Sequence, residues 1–232
     1  MPTRREFLMG LTLAPLAARR FGWTSVAGLQ AEIWPEDHCL SQESASGFQL
    51  LLNREPPMAR AASGSGETSL IIVPGIRAMS LGCGNELLGR MQEGAWVILE
   101  TGAGYSSIEE AKRQAGLLER FFGLKVLPSV PVSKSRGHRY IAYSWPLPRL
   151  VRTFEAITPI HSNAGEVVAH LGRQAVCAKK RVARGGLLYL GSMLGPGLFA
   201  EEPEGLAVGA AMVAFCRMTA SLEGLEGRQL KV

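Results

Sequence analysis

The chain has 232 residues, of which 47% are hydrophobic, and 25 basic side chains stand against 20 acidic ones for a formal charge of +5. That length suits one large α/β domain, and the apolar share excludes wholesale disorder. Arg4, Arg5, Arg19 and Arg20 with a single Glu6 fall in the first 20 residues, and without them 21 basic and 19 acidic side chains leave +2, so the pI of about 9.2 reports the N-terminus and is no footprint of nucleic-acid binding.

Residues 1–18, MPTRREFLMGLTLAPLAA, have a basic head, an apolar stretch from Phe7 to Leu13 and small residues after Pro15. This is the three-part layout of an export signal, too short to span a bilayer. TRREFL resembles the twin-arginine export consensus, with Thr3, Arg4, Arg5, Phe7 and Leu8 in place and Met9 where lysine often follows. The resemblance implies that the twin-arginine translocase delivers a folded protein to the periplasm or cell envelope. Ala17 and Ala18 form no clean A-x-A site, so the segment can also remain as a membrane contact. Residues 1–20 are read as this signal and 21–27 as a linker.

Residues 28–34 (GLQAEIW) predict a first strand, stopped by Pro35, and SQESASGFQLLL (41–52) predicts a helix with Ser41 as N-cap and Glu43 in its first turn. The stretch 54–69 is rich in Pro, Gly and Ser and reads as an exposed loop. LIIVPG (70–75) has the form of a strand buried on both faces. NELLGRMQEG (85–94) follows as a short helix with Leu87, Leu88 and Met91 on one face and Gly94 as C-cap. Trp96 to Leu99 is again a buried strand, ending in Glu100. The clearest helix runs from Ser106 as cap, through Glu109, Ile108, Ala111, Ala115, Leu118 and Phe122, to Gly123. From 124 to 188 the pieces are short: 139–145, 165–171 and 175–182 read as a meander or hairpins. Lys179, Lys180, Arg181 and Arg184 read as a solvated hairpin tip. Residues 186–190 form a core strand between glycines, 204–218 an apolar helix, and 223–232 a tail. The predicted fold is α/β, a mostly parallel sheet flanked by helices over 28–222 with an antiparallel hairpin extension; the strands at 70–74, 96–100 and 186–190 should be central.

Three segments carry a family resemblance: LIIVPG, LLGRMQEGAWVILETGAGYS, and GEVVAHLGRQAVCAKKRVARGGLLYLGSMLGPG. They resemble the class I glutamine amidotransferase-like superfamily, of flavodoxin-like fold, in its trehalose-utilisation-like and β-galactosidase-trimerisation-like members. Catalytic members of that superfamily place a cysteine on the elbow after the strand corresponding to 96–100, and a His-x-Glu after a late strand. Here the elbow is Thr101-Gly102-Ala103-Gly104 and the late strand ends in Gly191-Ser192-Met193. The resemblance thus implies a scaffold kept without its reactive pair.

Two readings of function remain. In the first, the chain is an exported, non-catalytic domain that binds a small ligand or a partner protein at the C-terminal edge of the strands. Glu100, Gly102, Ala103, Gly104, Tyr105 and Ser192 would line that site, the glycines letting backbone N–H groups approach a ligand. Glu100 reads equally well as a cap for the following helix. In the second, the chain is a hydrolase that uses a displaced cysteine, Cys83, with His161 or His138 as base and Glu166 as orienter. The four cysteines (39, 83, 177, 216) are too far apart for a zinc motif, no histidine stands at ligand spacing, and no cofactor motif is complete. Cys177 and Cys216 read as core thiols.

Overall fold

A computed structural model describes residues 24–26, 29–34, 42–54, 68–76, 78–101, 105, 107–132, 139–154 and 156–229. The signal segment, Ser41, Cys39, most of the 54–69 loop, Gly102, Ala103, Gly104, Ser106, His138 and residues 230–232 lie outside them.

In chain order the elements are β1 (Thr24–Val26), β2 (Leu29–Ile33), α1 (Gln42–Arg54), β3 (Thr68–Val73), α2 (Leu81–Gln92), β4 (Trp96–Glu100) and α3 (Ile108–Phe122). There follow β5 (Val130–Pro131), β6 (Tyr140–Tyr143), β7 (Arg149–Arg152), β8 (Ala156–Ile157), β9 (Glu166–Leu171), β10 (Gln174–Val182), β11 (Gly185–Leu190), α4 (Gly195–Phe199) and α5 (Pro203–Gln229). Nine strands form one sheet in the order β1-β2-β3-β4-β11-β10-β9-β6-β7, while β5 and β8 make a separate pair.

The four expected strands are present, and β3, β4 and β11 sit side by side in the middle, almost wholly buried. Their apolar runs have no polar face because helices cover both sides. The expectation of a mostly parallel sheet is corrected. Pairing is parallel only at β2–β3, β3–β4 and β4–β11; the other five contacts are antiparallel. The reason lies in the connections. β9 turns into β10 through Gly172 at φ 58°, and β10 into β11 through Ala183 at φ 53°, and two-residue links can join antiparallel neighbours alone. The hairpins therefore extend the main sheet; they do not hang from it.

Several local boundaries move. Thr24–Val26, inside the span read as a linker, pairs antiparallel with β2. α2 begins four residues earlier than read, because Ser80 Oγ accepts the N–H of Cys83 and caps it. Its early glycines look like a loop in sequence, yet a Cβ on Gly84 would run into the Phe121 ring, so that glycine serves helix packing. α3 is capped by Ser107, whose Oγ accepts the N–H of Glu110 at 3.0 Å, and ends as expected at Gly123, φ 58°. Its buried residues are Gln114, Leu118, Phe121 and Phe122, while Ile108, expected on the apolar face, is 69% exposed. α5 continues through residues 223–229, past the boundary drawn at 222. The basic run 179–181 belongs to β10, and only Ala183 and Arg184 form the turn.

Two apolar layers flank the sheet. On one side Phe48, Leu51, Leu70, Ile72, Trp96, Ile98, Leu188 and Leu190 pack with Leu198, Val208 and Met212. On the other, Ile71, Val97, Leu99, Leu187 and Tyr189 meet Leu87, Met91, Leu118 and Phe121. Alternation along β4 sends Trp96 and Ile98 to the first layer and Val97 and Leu99 to the second.

Candidate functional site at the strand ends

Glu100 closes β4 at the centre of the sheet and is wholly buried. Its Oε1 accepts the N–H groups of Leu194 (2.5 Å) and Gly195 (2.9 Å), and its Oε2 accepts that of Gly75 (2.8 Å) and the hydroxyl of Ser44. The helix it caps is α4, whose bonded N–H groups are 94 and 95 residues on, and not the next helix in the chain. Burial pushes its carboxyl above the usual range, and the bonds from Ser44, Gly195, Leu194 and Gly75 pull the other way. All four of these hydrogen-bond partners are donors, and the bonds tie α1, the turn after β3, β4 and the start of α4 into one node.

Beside that node runs a second buried polar chain. Thr101 Oγ1 donates to Tyr189 Oη at 2.7 Å, and Tyr189 Oη donates to the Thr158 carbonyl at 3.1 Å. Thr158 Oγ1 donates to the Thr101 carbonyl at 3.2 Å and lies 2.7 Å from Ser129 Oγ. Ser192 is buried beside Tyr143, and Cys177 Sγ donates to Tyr143 Oη at 3.6 Å. Burial holds Tyr143 and Tyr189 well above the ordinary phenol range and pushes Cys177 up to about 12. These side chains fill the space between the ends of β4, β10 and β11 where the resemblance calls for a reactive pair.

The open space lies just outside. A cavity of about 470 Å³ sits between the first turns of α3 and residues 126–129, walled by Ile108, Ala111, Val126 and Leu127, with Lys112 at its side. The wall at 126–129 is fixed from a distance: Leu127 N–H donates to the Pro159 carbonyl at 2.7 Å, and Val126 bridges Ile160. Tyr105 reaches this cavity, and its buried hydroxyl has no hydrogen-bond partner among the described residues. Thr158 is near enough to pull on its ionisation, but the Thr158 hydroxyl is already engaged with Ser129 and Thr101. Burial pushes Tyr105 up to about 12, so it stays a neutral donor at physiological pH.

The structure thus brings Glu100, Tyr105 and Ser192 to the same strand ends, but only Tyr105 faces the cavity. Glu100 and Ser192 are buried and do not line it, and Gly102, Ala103 and Gly104 lie outside the described residues. Lys112, Ser129, Thr158 and Tyr189 were not singled out in the sequence; only the spacing of Lys112, on the second turn of α3 after Tyr105, could have pointed to one of them. Cys83 is elsewhere, buried in the α2 layer, and burial lifts its thiol to about 11 with Ser80 and Glu86 as the groups acting on it. His161 is exposed and donates its backbone N–H to the Lys125 carbonyl, and Glu166 pairs with Lys179 at 3.0 Å. Cys83, His161 and Glu166 do not converge. Among the described residues no group of three side chains could hold a metal ion, and no helix is long and apolar enough to cross a membrane.

No protein-family model matches the sequence, and no curated protein matches it. Solved structures do. The β-galactosidase from Rahnella sp. R3 superposes with a TM-score of 0.56 over 85% of this chain at 13% identity, and that from Marinomonas ef1 with 0.55 over 86% at 13%. The exo-β-1,4-mannosidase Op5Man5 from Opitutaceae bacterium strain TAV5 gives 0.53 over 81% at 12%. The match takes in 31%, 30% and 35% of those chains respectively, so the chain spans about a third of their length. At such identities the likeness is one of fold, and it is consistent with the β-galactosidase-trimerisation-like branch of the resemblance: this chain is similar in architecture to an α/β domain of larger glycosidases.

Proposed function

We propose that this chain is a non-catalytic binding domain that takes a small molecule between the first turns of α3 and residues 126–129, and that it works outside the cytoplasm. The observation that carries the reading is the buried Tyr105 hydroxyl, without a hydrogen-bond partner among the described residues, in a cavity of about 470 Å³. A buried donor without an acceptor costs about 1–3 kcal/mol, which an acceptor on a ligand would offset. The volume lies in the range of small-molecule sites, and the apolar walls with few polar groups have the usual make-up of one. The ligand is accordingly a compact molecule with an apolar body and an acceptor, charged or neutral, near Tyr105 and Lys112. Reaction chemistry is disfavoured by the buried Thr101, Tyr189 and Ser192 at the strand ends and by the high thiol pKa of Cys83, which leaves little nucleophile at neutral pH.

A fragment screen by ligand-observed NMR on the full chain tests this. Ala111→Trp, which fills the cavity, should abolish binding of the acceptor-bearing fragments, and Tyr105→Phe should weaken it about three- to tenfold. Fragments that bind Ala111→Trp as well as the native chain, or no specific binder at all, would remove the proposal. Residence outside the cytoplasm rests on TRREFL. Replacing Arg4 and Arg5 together by lysine should retain the protein in the cytoplasm on cell fractionation, and undiminished delivery of that variant would sink the export reading.

A further inference from the structure

The polar side chains around the Tyr105 cavity are the hydroxyls of Tyr105, Ser107 and Ser129 and the ammonium of Lys112. Among the described residues, no carboxylate and no side-chain amide lines it. Lys112 is exposed on α3 and has no ion-pair partner among the described residues. Glu109 and Glu110 stand in the first turn of the same helix, and Glu110 acts on Tyr105 through space, yet neither lines the cavity. Selection of an anion there therefore comes from direct contact with Lys112 and Tyr105, not from a net positive field. Burial keeps the Tyr105 phenol protonated, so its hydrogen is available to such an acceptor. Ser129 and Thr158 lie 2.7 Å apart and either hydroxyl can be the donor, which lets Ser129 turn its proton toward an arriving oxygen. One cation with neutral hydroxyls suits a single negative charge.

The rest of the wall is aliphatic. Ala111, Val126, Leu127 and Pro128 belong to it, and so does Ile108, which stands 69% exposed. Tyr105 is the only ring among the described lining residues, so a flat aromatic ligand finds little to stack on. A short alkyl chain would instead cover Ile108 and take its apolar surface out of water. We propose that the cavity takes a small aliphatic carboxylic acid, its chain along Ile108, Ala111, Val126 and Leu127 and its carboxylate accepting from Tyr105 and facing Lys112. This rests on the reading of the Tyr105 cavity as a binding site and names the class of molecule it holds.

Hexanoate and hexanamide are the probes, titrated into the isotope-labelled full chain and read at the backbone amide resonances of Leu127 and Ser129. They share the chain and a carbonyl oxygen for Tyr105, and they differ in charge. Hexanoate should bind about fivefold more tightly, a modest factor because Lys112 is exposed and screened. That advantage should vanish in Lys112→Met, which keeps a good helix former at the position, and should shrink in high salt. Tyr105→Phe should weaken both probes, and Ala111→Trp should abolish both. Hexanamide binding as tightly as hexanoate, or an advantage that survives Lys112→Met, would overturn the acid assignment and leave the cavity a binding site for neutral molecules. Shifts that Ala111→Trp leaves untouched, or no saturable shift with either probe, would also overturn it; if the fragment screen is equally empty, the binding reading falls with it.

Discussion

Glutamine in place of Glu100 is expected to lower the unfolding free energy by about 1–3 kcal/mol, and alanine by about 3–5 kcal/mol, in chemical denaturation. Three backbone N–H groups and the Ser44 hydroxyl point at the two carboxylate oxygens, two donors on each. An amide can offer an oxygen to one pair only, and its NH₂ must then face at least one N–H of the other. Alanine leaves the N–H groups of Gly75, Leu194 and Gly195 without this acceptor, beside a void. The pH dependence has a definite sign. Burial raises the carboxyl in the folded protein, so the fold holds this proton more tightly than the unfolded chain does. The stabilisation from that proton is fully present below the unfolded value, about 4.3, and is lost as pH rises through the folded one. The stability gap between native protein and Glu100→Gln should therefore narrow as pH rises. A gap that widens would mean that the four donors outweigh burial.

Gly47→Ala should destabilise the chain by about 2–3 kcal/mol although it replaces glycine with the best helix former. Gly47 lies in α1 where α4 crosses it, and a Cβ there would fall against the Gly195 carbonyl oxygen, within 2.8 Å of Phe199 N and 2.9 Å of the Gly195 carbonyl carbon. These are backbone atoms that cannot swing aside, and Gly195 also donates to Glu100. Gly116→Ala is the control. That glycine is inside α3 with open space around it, so the same change should add about 0.5–1 kcal/mol. Thermal or denaturant unfolding of the two variants should show opposite signs. If both stabilise, the α1–α4 crossing yields more easily than its backbone contact implies.

The central strands were legible because their residues carry the signal themselves: Ile71 to Val73, Val97 to Leu99 and Leu187 to Leu190 are apolar on both faces and bounded by glycine or proline. The direction of pairing was not, because it belongs to the connections. The two short turns at Gly172 and Ala183 make β9, β10 and β11 antiparallel neighbours, and in sequence they look like decoration on a parallel core. Ser106 and Ser107 are both suitable caps, and register alone chooses the second. At the site, Glu100 and Tyr105 stood out as a carboxylate and a phenol around a glycine-rich turn. The donors to Glu100 are 25, 56, 94 and 95 residues away, and no local pattern announces them.

The pairing of β4 with β11 sets an order of events during synthesis. Residues 101–184 separate the two strands, so β4 leaves the ribosome long before the neighbour on that side of it has been made. Until then Trp96–Glu100, apolar on both faces, presents a row of unpaired peptide groups, the kind of edge that invites association with other nascent chains. Closing that gap requires a long loop to find its end, which is the slow class of folding step. The first half of the chain is thus a template that the last third completes, and it is in this interval that a helper able to shield a bare strand would matter most.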